Sequence, residues 1–345
     1  MRKLLFILTA LLLLALPALA EEIPGMVDMT YLTQVSERDA KALAEELNAN
    51  PDATACDLRG VKVPLEAQVK LLDSCPQIDF YWTVKIGNEA TLDNHLTHLN
   101  LDELPSRSGY PKFKNTLRCF SGLEEVTMFS YRYSVKEMES ILAEFPDVTF
   151  HWTIRLDSYL IPNDATAFST NKGRRDPRYT PRQLDALKHC PNLVALDVGH
   201  NDVSDLSFLT QWPGLRIFIC VDSKHRVTDI SPLKDMHDLE YVELFMQGIT
   251  DISALEGKTK LLDLNLCYND ITDLTPLHSC VNLERLWISN NKHLPQEQID
   301  ALQAALPNLV IETETKQSTG VGWREHPHYF TMRESFLSHY YVPFE

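Results

Sequence analysis

The chain has 345 residues, 44% hydrophobic and 23% charged, the proportions of an ordinary globular protein with ample material for a core. Its formal charge of −16 repels phosphate backbones and anionic headgroups, so nucleic acid is excluded as an expected partner. Seven cysteines, an odd count without a Cys-x-x-Cys pair, form neither a disulfide framework nor a zinc site.

Met1-Arg2-Lys3 is followed by an apolar run from Leu4 to Leu16 and by Pro17-Ala18-Leu19-Ala20. A charged start, a hydrophobic stretch too short to span a bilayer and a small-residue cleavage site predict a secretory signal peptide over residues 1–20, cut after Ala20. Loss of Arg2 and Lys3 with it would leave 30 basic against 48 acidic residues, a formal charge of −18. No later stretch is apolar and long enough to cross a membrane, and no cysteine follows the leader to carry a lipid. The expected product is secreted or extracytoplasmic, without membrane insertion.

Residues 21–52 are expected to form an N-terminal helical cap. Residues 53–192 repeat with a period of 70: LLDSCPQIDFYWTVKI, ending at Ile86, aligns with ILAEFPDVTFHWTIRL, ending at Leu156. The same offset carries Ala53, Cys56 and Leu58 onto Leu123, Val126 and Met128. Four related amphipathic helices, PLEAQVKLLDSCP, SVKEMESILAEFP, TPRQLDALKHCP and LPQEQIDALQAALP, tie this half to the next. With a period of two, Phe80, Trp82, Val84 and Ile86 share one strand face, as do Phe150, Trp152, Ile154 and Leu156, and both faces are expected in the core.

From Leu193 the period shortens to 22 residues, in copies opening at Leu193, Leu239 and Leu261. Leu215 opens a copy with a two-residue insertion and Leu283 a longer one. The shared pattern is LxxLxLxxNxIxDIxPL. Positions 1, 4 and 6 alternate as in a half-buried strand, so Leu261, Leu264 and Leu266 point inward. Asn201, Asn269 and Asn291 at position 9, with Gln247 as a departure, are placed to bond backbone groups of the following turn. Asp205, Asp229, Asp251 and Asp273 precede short apolar pairs and are read as caps on tight helical turns. A calcium column is the less simple alternative.

This region, residues 193–312, resembles the internalin type of bacterial leucine-rich repeat. The resemblance implies an α/β repeat solenoid: a right-handed superhelix with a concave parallel sheet and helices or 3-10 turns on its convex side, used for protein recognition. By extension residues 53–192 are two degenerate leucine-rich-like units. Stacked at about 4.8 Å, the strands would number roughly ten to twelve. In the repeat alignment Cys75, Cys190 and Cys280 occupy a column filled elsewhere by Phe145, Trp212, Met236 and Leu306, while Cys56 and Cys220 take inward positions. Cys267, at outward position 7, is expected to be open to solvent or ligand; Cys119 has no assignment.

Outward positions 3, 5, 7 and 8 would form columns on the concave face. Tyr241, Glu243, Phe245, Asp263, Asn265, Tyr268, Arg285 and Trp287 cluster there, aromatic rings beside charges, as binding hot spots do. The strand core does not need these side chains; the alternative is that the rings merely fill a pleated surface or are covered by the C-terminal tail. Residues 313–345 form a polar linker and then an aromatic tail with Trp323, Tyr329, Phe330, Phe336, Tyr340, Tyr341 and Phe344. It is read either as a cap over the apolar edge of the last repeat or as a docking peptide. His326, His328 and His339 lack a cysteine or carboxylate at metal spacing in the sequence.

No G-x-S-x-G, H-E-x-x-H, phosphate loop or dinucleotide fingerprint is present. The expected function is therefore an exported, monomeric module that binds a protein or glycan on the concave face, without catalysis, cofactor or metal. A cell-surface structural protein, and an enzyme with an unrecognised site in the front half or tail, are the alternatives.

Overall fold

The computed structural model describes residues 23–345 apart from 88–89, 105–108, 171–177 and 224–225. The expected leader lies outside the described residues. The chain divides into two compact units, one of Met1–Leu99 with Glu103–Glu125, the other of Asn100–Asp102 with Val126–Glu345.

In the first unit, strands Met26–Asp28, Ala55–Asp57 and Asp79–Tyr81 pair in parallel, and helices Glu37–Ala49 and Leu65–Ser74 return the chain between them. Ser36 starts the first helix with a reciprocal capping box to Asp39. The segment 21–52 therefore opens as a strand and is itself a strand–helix repeat rather than a purely helical cap. Three residues are too short for alternation to reveal them. Thr83–Ile86 then folds back antiparallel on Ala90–Asp93.

The second unit uses the same device. Thr149–Leu156 pairs antiparallel with Tyr159–Pro162, and the turn begins at Asp157 with φ 54°, as the first hairpin turns at Gly87 with φ 60°. Asn94 accepts from the Trp82 amide and donates to the Phe80 carbonyl; Asn163 does the same for Trp152 and Phe150. The repeat thus extends to individual hydrogen bonds, with the asparagine one residue short of the 70-residue offset. Phe80, Trp82, Phe150 and Trp152 are all buried, in the core as expected.

Seven parallel strands follow: Ala167–Ser169, Ala195–Asp197, Ile217–Ile219, Tyr241–Glu243, Asp263–Asn265, Arg285–Trp287 and Val310–Glu312. This is shorter than the run expected from the repeats, because the front-half strands, those that pair in parallel included, belong to separate sheets. Leu261, Leu264 and Leu266 are wholly buried behind the sheet. On the opposite side short 3-10 turns close the core through Leu209, Leu233, Leu255 and Leu277. Asp205, Asp229, Asp251 and Asp273 each accept from the amide two residues on at 2.8 Å, and so cap those turns.

The position-9 amides hold the turn after each strand. Asn269 accepts from the Ile249 amide and donates to the Leu244 and Leu266 carbonyls, and Asn291 repeats this one copy later. Gln247 fills the same role with a longer arm, accepting from Val227 and donating to Cys220. Position 8 is not a strand position: His200, Asp222, Met246, Tyr268 and Asn290 have φ of 59, 47, 58, 57 and 63°. Each takes the left-handed conformation that turns the chain off the sheet.

All seven cysteines are free and buried. One residue in the Met236/Cys280 column breaks the apolar rule. Lys258 is wholly buried, its ammonium donating to the Lys234 carbonyl at 2.5 Å. Desolvation holds its pKa below the ordinary 10.5. The unfolded chain therefore binds this proton more tightly, and the lysine costs stability in full below its folded pKa. Lys258→Met should raise the melting temperature at pH 7, and its advantage over the natural chain should shrink as pH climbs toward 10.5. Melting curves of both proteins across that range would show a constant gap if the lysine were not desolvated.

Candidate functional site

The register fixes which side chains meet. Ala167, Ala195, Ile217, Tyr241, Asp263, Arg285 and Val310 pair one to one along the sheet, and Ser169, Asp197, Ile219, Glu243, Asn265, Trp287 and Glu312 form the column two residues on. Side chains two apart on a strand share a face, so both columns look away from the leucine core.

That face is covered by the C-terminal segment. The Thr315 amide donates to Ser289 Oγ at 2.9 Å, the Tyr268 hydroxyl to the Lys316 carbonyl at 2.8 Å, and Asn265 to the Ser318 carbonyl at 2.6 Å. Trp287 Nε1 donates to the Gly320 carbonyl, and a turn at Gly322 with φ 87° then lays Trp323 into the sheet. Trp323 is wholly buried, 5.6 Å from the Tyr241 ring and 5.1 Å from the Trp287 ring, with the Arg285 guanidinium 4.6 Å from its centroid. Its indole N–H donates to Glu243 Oε1 at 2.9 Å.

Helix Pro327–Ser338 continues across the face, and His339 ends it in the left-handed conformation. Its carbonyl accepts from the Thr166 and Ala167 amides at 3.0 Å, the role Thr166 itself plays for Val194 and Ala195. The tail thus supplies the backbone acceptor that a preceding repeat would give the first strand. Beyond it Tyr341 donates to Glu240 and stacks under Arg216, while Phe344 stacks on Tyr241 at 5.9 Å.

An ion pair lies beneath this cover. Asp263 holds Arg285 on one carboxylate oxygen and the His328 Nδ1 on the other, at 2.6 Å for the histidine. Ligating atoms of Asp263, His326 and His328 lie within 4.8 Å of one another, a grouping that replaces His339 of the sequence triplet by a carboxylate. The Arg285 guanidinium already neutralises that carboxylate, and with desolvation as the larger cause it holds the His326 pKa below the usual value. The cluster reads as a clamp between tail and sheet.

Of the eight sequence-selected residues, Tyr241, Glu243, Phe245, Asp263, Asn265, Arg285 and Trp287 are buried and Tyr268 is half-buried. The structure does bring them together, but as the docking ground of the tail rather than an open face. The tail accordingly covers the sheet's outer face instead of capping the edge of the last repeat. Cys267, expected to be open, is wholly buried in the same cluster, and burial pushes its thiol up to about 12. Cys119, unassigned from sequence, ends helix Tyr110–Arg118, where its carbonyl accepts from Trp82 Nε1.

The cover is incomplete over the early strands. A cavity of about 590 Å³ remains between the helix and a floor that includes Ser169, Asp197, Ile219, Val221, Glu243 and Phe245. Met332, Phe336 and Leu337 form its helix wall, and Arg324, Arg333 and His339 also line it. Asp197 accepts from Ser169 Oγ at 2.6 Å and from the Gly199 amide at 2.8 Å. Burial pushes the carboxyls of Asp197 and Glu243 above the ordinary range, and the Asp197 charge adds to the rise at Glu243. Sequence reading singled out Tyr329, Phe336 and His339 of the tail but missed Ser169, Arg324, Met332, Arg333 and Leu337, since no periodicity marks them.

Trp323→Ala should cost about 3–5 kcal/mol and loosen the cover. The natural chain should leave Cys267 unlabelled by a disulfide reagent at pH 8, its thiol being held near 12, while the variant should label there. Mass-spectrometric mapping that found Cys267 equally reactive in both would show the tail does not shield it.

Residues 259–309 match the family model described as Leucine Rich repeats (2 copies). No curated protein matches the chain at a significant level. Among solved structures, internalin C2 of Listeria monocytogenes is 17% identical with a TM-score of 0.34, covering 60% of this chain and 79% of its own. A second internalin of that species, InlF, is 18% identical with a TM-score of 0.38 and covers 84% of each chain. A leucine-rich-repeat protein of Leptospira interrogans is 14% identical with a TM-score of 0.35, over 79% of this chain and 74% of that one. Residues 259–309 thus carry leucine-rich repeats, and the one-to-one register from Ala195 to Glu312 continues the same parallel stacking on either side of them.

Proposed function

We propose that this chain is an exported, non-catalytic binding module that recognises a segment of a protein, with a glycan as the second ligand class, in the cavity between the outer sheet face and the tail helix. The carrying observation is that cavity: about 590 Å³, within the range of ligand sites, with apolar and charged groups mixed in its lining. Glu243 and Phe245 face the ligand. The other six sequence-selected residues act by fixing the tail that forms the opposite wall. Repeat solenoids offer such extended surfaces for recognition.

The polar groups favour binding over catalysis. Ser169 gives its hydrogen to Asp197, and His200 Nδ1 meets Asp222 at 3.3 Å. Among the described residues no hydroxyl in the cavity is hydrogen-bonded to an imidazole, the pairing an activated nucleophile needs. Export rests on the leader read from residues 1–20; among the described residues no helix is long and apolar enough to cross a membrane.

Two measurements test this reading. Intact-mass analysis of the protein recovered outside the cytoplasm should give a chain starting at Glu21; a chain retaining Met1 in the cytoplasm alone contradicts export. Binders selected from peptide and glycan libraries on the chain from Glu21 should slow hydrogen exchange at Ala195–Asp197, Ile217–Ile219 and Pro327–Ser338. A footprint elsewhere, or no binder at all, removes the cavity as the recognition site.

A further inference from the structure

Resting on the cavity as the ligand site, though not on a protein segment as its occupant, the charges that line it point to a small ligand charged at both ends. Asp197 and Glu243 stand on the floor, and each is satisfied only by neutral donors: Ser169 Oγ and the Gly199 amide for the first, the Tyr241 hydroxyl and Trp323 indole for the second. Arg324 and Arg333, exposed residues of the tail, line the same cavity. Among the described residues neither arginine forms an ion pair, and neither floor carboxylate does. Two acids and two bases thus converge on one space without forming an ion pair; the Arg324 charge offsets only part of the rise at Glu243, and the His200 charge only part of that at Asp197. Burying a carboxylate without a counter-charge is expensive, and desolvation accordingly raises both floor carboxyls. His339, which also lines the cavity, has a buried Nδ1 without a hydrogen-bond partner among the described residues, a place for one more polar contact.

Between the two charged zones the lining is apolar, with Ile219, Val221, Phe245, Met332 and Phe336. We propose that the cavity takes a zwitterion of amino-acid or short-peptide size, its ammonium against Asp197 and Glu243, its carboxylate toward Arg324 and Arg333, and an apolar side chain between. Such a ligand supplies the missing counter-charge at both ends. Charge-assisted hydrogen bonds in a shielded site are worth enough each to dominate the choice of ligand. A ligand with one charged end leaves the other pair unmatched.

The experiment uses the chain from Glu21 with a panel of free phenylalanine, free leucine and the dipeptide leucyl-phenylalanine, each also in N-acetylated and C-amidated form. Binding is read by calorimetry and its place by hydrogen exchange. The free forms should bind, and capping either end should weaken binding about tenfold or more. Asp197→Asn should erase the penalty of N-acetylation while keeping that of amidation; Arg324→Gln should do the reverse. Arg324 is exposed, so its variant stays informative if the Asp197 variant is unstable. Affinity for the amino acids assigns a free metabolite as the source, and affinity for the dipeptide alone assigns a peptide. Equal affinity of capped and free forms at the cavity would overturn the zwitterion while leaving the cavity as the site. No binding of any panel member would overturn it as well, and binding with a footprint elsewhere would overturn both readings.

Discussion

Everything on the outer face follows from one constraint, the in-register stacking of parallel strands. Each strand is only three residues long, so its own hydrogen bonds do little to select a partner. The turn after it does that work. A left-handed residue at position 8 leaves backbone groups exposed, and a buried amide at position 9 satisfies them in two neighbouring copies at once. Because Asn291 reaches the Leu266 carbonyl as well as its own turn, one copy cannot slip against the next without orphaning a buried amide. Locked register turns repeat positions into straight columns.

Columns have an energetic consequence. Side chains that a single strand would scatter are instead collected into one continuous strip, here Tyr241 and Trp287 with Phe245 and Cys267 beside them. A strip this apolar needs a partner. The tail meets it with Trp323, Met332, Tyr341 and Phe344, and it matches polar groups as well as rings: Glu243 receives the indole N–H, and Asp263, already paired with Arg285 of the sheet, receives His328. The solenoid therefore has two hydrophobic layers, leucines behind the sheet and aromatics in front. The aromatic and charged side chains read from the sequence as a hot spot meet the chain's own end.

What the sequence disclosed was whatever repeats. The solenoid, the inward leucines, the aspartate caps, the asparagine turns and even the hairpin-bearing units at residues 53–192 recur at a fixed spacing, and recurrence is visible without coordinates. What it hid does not recur. Helix Pro327–Ser338 has buried residues at His328, Met332 and Ser335, a stripe with a histidine and a serine in it, so nothing in its pattern says which surface it meets. Cys267 and Cys220 differ by one step of alternation, yet both end up buried, because alternation reports which face a residue is on and not whether that face is covered. Lys258 sits in an apolar column for a reason that no periodicity expresses.

The position of the cavity is a consequence of residue size along the same columns. Ala167 and Ala195 head the column that later holds Tyr241 and Arg285, and Ser169 and Asp197 head the one that later holds Glu243 and Trp287. At position 7 Gly199 precedes Val221 and Phe245; a Cβ on Gly199 would sit 2.8 Å from Val221 Cγ2 and 3.1 Å from Asp197 Oδ1. The tail rests on the large side chains of the later strands and is held at the first strand through the His339 carbonyl, so it bridges the small ones between. The gap beneath it is where the two layers cannot touch. Small residues there expose Asp197, and the missing Cβ at Gly199 lets its amide and the Asp197 carboxylate meet, so the same shortfall in bulk that opens the space also keeps a carboxylate directed into it.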